Sequence, residues 1–202
     1  MNILFLSRYY FPSVGGVEKH VEKVSEKLIS KGNNVTVITT KHKNNLKQKE
    51  KIKGVNIIRF IQPNIKIVGL IITWIWFMKN ISIFEKYDVI HCHDVFVWIL
   101  PLRLLRPKRK YYVTFHGYPN YPIKKRQVFL QNISEKLTTG NICIGDFIKK
   151  WYGTNPNIVS YGAVDISKFK PKKAKSFKYD AIFASRLDEH TGILTYAYTG
   201  YQ

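Results

Sequence analysis

Short apolar runs recur along this chain, each closed by polar or turn-forming residues and each followed by a stretch of helical periodicity. Residues 3–6, 35–38, 55–60, 89–92, 111–115, 141–144 and 158–160 have the length and apolar density of buried strands. Between them, helices are predicted near 67–84, 96–105, 127–137 and 147–152, and a first helix follows Gly16. In that first helix Val17, Val21, Val24 and Leu28 fall on one face, whereas Lys19, Lys23, Lys27 and Lys31 form a separate wet stripe. Gly32 has the place of a left-handed residue that ends a helix. Strands that alternate with helices bury their apolar sides as a parallel sheet covered on both faces, so the expected class is α/β.

The length of 202 residues supplies one sizeable core and falls short of two domains of ordinary size. Around residues 171–178 the composition turns to Lys, Pro and Ser, which reads as a linker. Beyond it, Tyr179, Asp180, Ala181, Ile182, Phe183 and Ala184 read as the opening strand of another sheet. The expected organisation is a first domain over 1–170, a linker over 171–178 and an incomplete second domain over 179–202. One strand with at most one helix cannot bury its own apolar side.

Thirty-three Lys and Arg against thirteen Asp and Glu give a formal charge of +20, which calls for an anionic neighbour: nucleic acid, anionic lipid or a phosphorylated substrate. The excess is concentrated at 41–53, 103–110 and 168–178, stretches that also read as solvated loops. No recognition helix, finger or stacking motif accompanies it, so specific nucleic-acid binding is not expected. Cys92 and Cys143 lie inside apolar runs rather than at metal or redox spacing and read as reduced core residues. The start of the chain is apolar but short, with no basic region ahead of it, which points to the cytoplasm. Residues 67–78 are twelve positions without a charge, whereas a membrane-crossing helix needs about twenty. A core helix is the main reading; a helix resting on the inner membrane face is the second, favoured by Trp74, Trp76 and Phe77.

In an open parallel sheet, ligands bind beyond the carboxyl ends of the strands, which singles out residues 8–16, 91–94 and 114–117. Gly15 and Gly16 stand before a helix N-terminus, whose free N–H groups and dipole favour a phosphate. They match neither the dinucleotide fingerprint nor the P-loop, and a plain turn is the alternative. His116 directly follows an apolar strand and precedes Gly117, so its imidazole is expected in the crevice, in binding or catalysis. His91 and His93 share one strand face, with Cys92 on the other, and Asp94 follows. Nothing completes a metal site around them, so they read as hydrogen-bonded crevice residues, and no metal is expected.

Taken in order, these motifs resemble the family-4 retaining glycosyltransferases of GT-B architecture. The carriers are Pro12-Ser13-Val14-Gly15-Gly16-Val17-Glu18-Lys19-His20, then Tyr87-Asp88-Val89-Ile90-His91-Cys92-His93-Asp94, then Thr114-Phe115-His116-Gly117. Gly162-Ala163-Val164-Asp165 and Ser185-Arg186-Leu187-Asp188 follow. The resemblance implies a Rossmann-like first domain, the N-terminal half of a GT-B fold, whose second domain is cut short. It implies sugar transfer with retention from a nucleotide-sugar, as co-substrate rather than resident cofactor, to a glycan or a lipid-linked acceptor. His116 would be the catalytic residue against the transferred sugar. Gly15, Gly16 and Arg186 would meet the donor diphosphate, and His20, His91, His93, Asp94 and Gly117 would line the acceptor side or crevice.

Three departures accompany the likeness: Gly162-Ala163 stands where Asn-Gly is common, Thr191 stands where a lysine commonly follows the arginine, and the paired-glutamate segment that in the family grips the donor sugar and ribose far downstream is not among these residues. With one wall of the cleft missing, the chain alone is expected not to turn over a nucleotide-sugar. A noncatalytic acceptor- or partner-binding fragment is the alternative from a different class. Partners in either case include an anionic membrane surface.

Overall fold

The computed structural model describes residues 1–117, 122–163, 166, 167 and 169. A first compact unit spans Met1–Gly162. Arg186, the boundary at 170, the linker at 171–178 and the segment 179–202 lie outside the described residues.

Eight strands among the described residues form one sheet: β1 (Asn2–Ser7), β2 (Asn34–Thr40), β3 (Lys49–Ile52), β4 (Val55–Phe60), β5 (Val89–His93), β6 (Tyr111–Phe115), β7 (Gly140–Cys143) and β8 (Ile158–Val159). Their order is β3-β4-β2-β1-β5-β6-β7-β8, and every pairing is parallel except that of β3 with β4. Six helices accompany them: α1 (Gly16–Ser30), α2 (Lys66–Lys79), α3 (Ile81–Phe84), α4 (Leu100–Leu105), α5 (Lys125–Leu137) and α6 (Asp146–Tyr152). A 3-10 turn over Phe96–Ile99 leads into α4.

Strand alternation sorts the core into two sides. Ile3, Phe5, Val35, Val37, Val55 and Ile57 face α1, meeting Val17, Val21, Val24 and Leu28. Leu4, Leu6, Ile38, Ile90, Cys92 and Val113 face the other way, against Phe77 of α2, Phe84 of α3 and Ile148 of α6. Both cysteines are buried free thiols. At Gly32, φ is +79°, and its N–H donates to the Ile29 carbonyl, closing α1 as its sequence predicts.

Three sequence expectations are corrected. The basic stretch at 41–53 is not all loop: residues 49–52 make β3, an edge strand joined to β4 by a tight turn in which Lys53 and Gly54 have φ of +49° and +82°. Two consecutive positive φ values are what such a hairpin demands, and Lys49 and Lys51 on its exposed edge discourage pairing with another chain. The single helix expected over 67–84 is two, because Asn80 ends α2 by turning its side-chain amide back onto the Trp76 carbonyl. The helix expected over 96–105 begins as a 3-10 turn.

The strand order reverses around β1. From β1 the chain crosses through α1 to β2 on one side, and after β4 it returns through α2 and α3 to β5 on the other. At such a reversal the connections diverge and leave a crevice above the carboxyl ends of β1 and β5.

Candidate functional site

The crevice is built where β1, β5 and β6 end beside the first turns of α1. Ser7 lies in register with His93, and His93 with Thr114, so strand pairing alone brings residues far apart in sequence to one edge. His91 and His93 point to the α1 side, where the edge of Phe5 meets both rings at 5.6 and 5.1 Å. The two imidazoles stack at 4.6 Å. His91 Nε2 lies 2.7 Å from Thr114 Oγ1, which fixes that ring as a support beneath His93 rather than in the crevice mouth.

His93 carries the chemistry upward. Its Nδ1 is 3.0 Å from His116 Nε2, so one ring donates to the other. His20, one helical turn beyond Gly16, packs its ring on His116 at 4.8 Å and on His93 at 5.7 Å. Asp94 completes the arrangement: its Oδ1 accepts the His116 backbone N–H at 2.9 Å, and its own φ is +58°, an uncommon conformation for a residue with a side chain. The expected crevice residues His20, His93, Asp94 and His116 are thus brought together, and His91 lies under them.

Loss of bulk water keeps these imidazoles neutral. Burial pushes His91 down to about 3 and His116 down to about 4, with neighbouring imidazoles adding to the effect. It lowers His20 and takes His93 well below the ordinary range. The same crowding pushes the Asp94 carboxyl up, toward about 7, against the His116 N–H bond that favours its ionised form. Asp94 keeps access to crevice water, which limits that push, so its direction is what the site carries. A cluster of uncharged donors and acceptors results, suited to hydroxyl groups and to a developing positive charge.

Glycine serves different ends at the α1 N-terminus. A Cβ on Gly16 would meet nothing within 4 Å, so this position stands open to a ligand at the first turn of the helix. At Gly15 a Cβ would collide with the Glu18 carboxyl, which folds back over the loop. Gly117, beside His116, also faces open space.

Below this cluster opens a cavity of about 430 Å³. Arg8 and Glu18 line it together with Asn64 and Lys66, and His93 and Asp94 belong to both cavity and cluster. Trp98 and Leu70 give it an apolar wall. Gln62, Asn64 and Lys66 were not legible in the sequence, because the loop after β4 reaches the cavity only through the order of the strands.

Arg59 belongs with them. Its side chain is fully buried, and its guanidinium donates to the Lys47 carbonyl at 3.0 Å, to the Glu50 carboxylate and to the Phe11 carbonyl at 2.7 Å. It therefore ties the loop that carries Gly15 and Gly16 to the edge of the sheet. A charge within the apolar run of residues 55–60 was the available signal, because an arginine is almost never fully buried unless it is paired.

One set of metal-ligating type exists among the described residues: ring nitrogens of His20, His93 and His116 lie within 4.8 Å of one another. It differs from the His91, His93 and Asp94 set weighed from sequence, since His20 arrives from α1. The 3.0 Å contact between His93 and His116 already occupies two of its nitrogens.

A model of Glycosyltransferase Family 4 matches residues 14–158, more than half of the chain. An uncharacterised glycosyltransferase of Methanocaldococcus jannaschii is 36% identical over 105 residues, covering 46% of this chain and 25% of that protein. The GPI3 subunit of phosphatidylinositol N-acetylglucosaminyltransferase from Saccharomyces cerevisiae is 24% identical over 187 residues, covering 85% of this chain and 41% of the relative. The chain therefore spans less than half the length of these relatives. Among solved structures, sucrose-phosphate synthase of Thermosynechococcus elongatus has a TM-score of 0.65 at 15% identity, over 85% of this chain and 50% of that one. A glycosyltransferase of Rickettsia africae gives 0.55 at 18% identity, over 79% and 42%. At these identities the two structures speak for the fold alone: a Rossmann-like half of a GT-B glycosyltransferase.

Proposed function

Because the chain belongs to Glycosyltransferase Family 4, we propose that its crevice serves sugar transfer from a nucleotide-sugar to an acceptor hydroxyl with retention of configuration. The observation that carries this reading is the neutral imidazole network of His20, His93 and His116 beside the open N-terminus of α1. In the transfer, the acceptor oxygen bonds to the anomeric carbon as the bond from that carbon to the donor diphosphate breaks. The electron pair leaves with the diphosphate, and the acceptor proton passes to the departing oxygen. A sugar cation develops between the two, and an uncharged imidazole beside it stabilises that charge where an imidazolium would oppose it.

His116 is assigned to the transferred sugar on the family resemblance, and its hydrogen bonds, from its ring to His93 and from its backbone to Asp94, support that role by holding it in place. The first turn of α1 at Gly16 receives donor phosphate through N–H groups. Arg186 is assigned to the leaving diphosphate on the family resemblance. The cavity beside His93 and Asp94 takes the acceptor, a glycan or a lipid-linked molecule, at the cytoplasmic face of a membrane. A metal-independent transfer is part of this reading: one nitrogen each of His93 and His116 is held in their mutual hydrogen bond, and the reaction is assigned to the rings themselves.

Calorimetric titration of the protein with a panel of nucleotide-sugars tests this. One nucleotide-sugar should bind, and His116→Ala should weaken it about tenfold or more, the equivalent of one lost charge-stabilising contact. Equal binding by His116→Ala would remove His116 from the donor site.

A further inference from the structure

Three imidazoles carried by three elements converge above the sheet: His20 from α1, His93 from the end of β5 and His116 from the residue after β6. Helix and strand fix the first two, and the bond from the His116 backbone N–H to Asp94 fixes the third. One ring nitrogen from each lies within 4.8 Å of the others. A tetrahedral ion of the zinc type holds its ligand nitrogens about 2.0–2.1 Å from the metal, which sets them about 3.3 Å from one another. His93 Nδ1 and His116 Nε2, at 3.0 Å, already stand near one edge of such a tetrahedron. The His20 nitrogen has at most about 1.5 Å to travel, which a turn of its side chain covers.

Two observations set this trio apart from a closed hydrogen-bond network. His20 makes ring contacts with both partners but no hydrogen bond among the described residues, so a nitrogen of its ring is available as a ligand. His93 is 2% exposed, and its Nε2 is buried without a partner. Buried polar atoms are almost always paired, and one that is not calls for a ligand or a function. Bonded through one nitrogen only, the His93 ring can also turn over and present either nitrogen. Every donor is an imidazole, a set that suits zinc, nickel and copper, whereas magnesium and calcium prefer oxygen.

We propose that His20, His93 and His116 form a reversible site for one divalent transition-metal ion of the zinc type, and that this ion inhibits sugar transfer. On binding, the proton shared by His93 and His116 moves to the outer nitrogen of the ring that held it, and the ion takes its place between the two rings. The fourth position belongs to crevice water, since His20 and His116 are half-buried rather than enclosed. Binding of the ion rests on the geometry alone, and inhibition rests on the sugar-transfer reading. A dication where the sugar cation develops opposes the charge that neutral rings stabilise, and it withdraws His116 from the sugar.

The test uses protein without a histidine tag, titrated with zinc by calorimetry and with cobalt by visible absorption, which is strong for a tetrahedral ion and weak for an octahedral one. The expected result is one ion per chain, a tetrahedral cobalt spectrum and no uptake of magnesium at the same concentration. His20→Phe keeps a planar ring on His116 and removes one ligand. It should keep the wild-type circular dichroism and bind zinc about a hundredfold more weakly, no less than the loss of an outer-shell partner costs. The wild-type cobalt spectrum tests the site independently of that variant. Nucleotide-sugar should bind the zinc-loaded protein about tenfold more weakly than the metal-free protein, as when the His116 contact is lost. An octahedral cobalt spectrum, zinc binding by folded His20→Phe at wild-type affinity, or undiminished nucleotide-sugar binding by the zinc-loaded protein overturns the proposal. Nucleotide-sugar that binds neither form, with the tetrahedral cobalt spectrum intact, strikes the sugar-transfer reading and leaves the metal site supported.

Discussion

His116 and Asp94 form a pair in which one group is uncharged at neutral pH and the other is drawn toward the protonated form. Burial lowers His116 to about 4, so its charge does not change across the range in which a free imidazole titrates. Asp94, whose carboxyl burial raises above the ordinary carboxylate range, is the group whose charge changes with pH instead. Its ionised form puts a negative charge beside the donor's own, so nucleotide-sugar affinity should fall as pH rises through that raised value. Titration calorimetry from about pH 4.5 to about pH 8 should show that fall in the wild type and a flat profile in Asp94→Asn, and an unchanged slope in the variant would assign the titration elsewhere. Arg59 acts at a distance, through the Phe11 carbonyl of the glycine loop. Arg59→Lys keeps the charge and loses the fork, and a lost bond to a charged group is worth about 1.5 kcal/mol, or about tenfold in donor Kd. A donor Kd equal to that of the wild type would make Arg59 purely structural.

At the scale of elements, α1 and the strand ends share the work, and Gly16 offers a clean separation of fold from function. A Cβ there touches nothing, and replacing glycine by alanine at a compatible helical position stabilises by about 0.4–1 kcal/mol. Gly16→Ala should therefore unfold at equal or higher denaturant concentration while binding nucleotide-sugar more weakly. Lower stability together with normal binding would show that the position is not an open approach. The strands and α1 were legible in sequence because their periodicities are local: the apolar run of β1 and the valine spacing of α1 need no knowledge of the rest. The Lys53-Gly54 hairpin was not, because β3 carries Lys49, Glu50 and Lys51 and gains its strand character only from pairing with β4. The break at Asn80 was hidden in the same way, inside an apolar stretch that continues on both sides. His93, Asp94, His116 and the glycine pair were legible because strand ends at a chain reversal are where crevices form. The role of His20 was not legible by spacing, since its partners come from β5 and β6. Nor were Lys66 and Arg59, whose meaning depends on which loops the sheet brings near them.

The whole molecule combines a neutral crevice with a strongly basic exterior, and the two respond to pH differently. His20, His91, His93 and His116 all have folded values below the ordinary 6.5, so the unfolded chain binds more protons than the folded one below that pH. Their neutrality therefore contributes stability that is fully present above 6.5 and is lost as pH falls toward about 4 for His116 and about 3 for His91. Asp94 has the opposite sign: its raised value favours the folded state below 3.8, and that contribution is lost as pH rises toward about 7. Four imidazoles outweigh one carboxyl that keeps access to water. The denaturant midpoint should therefore drop between pH 7 and pH 5, and a rise over that interval would mean that the imidazoles are charged in the folded protein.

The sugar-transfer reading is tested most directly by nucleoside diphosphate release from a bound nucleotide-sugar, measured with a lipid and glycan extract and a metal chelator for this chain joined to a complete donor-binding domain. The account predicts release that survives the chelator and falls about a hundredfold in His116→Ala, as when one preorganised contact to developing charge is removed. Release abolished by the chelator, or left unchanged by His116→Ala, would contradict it.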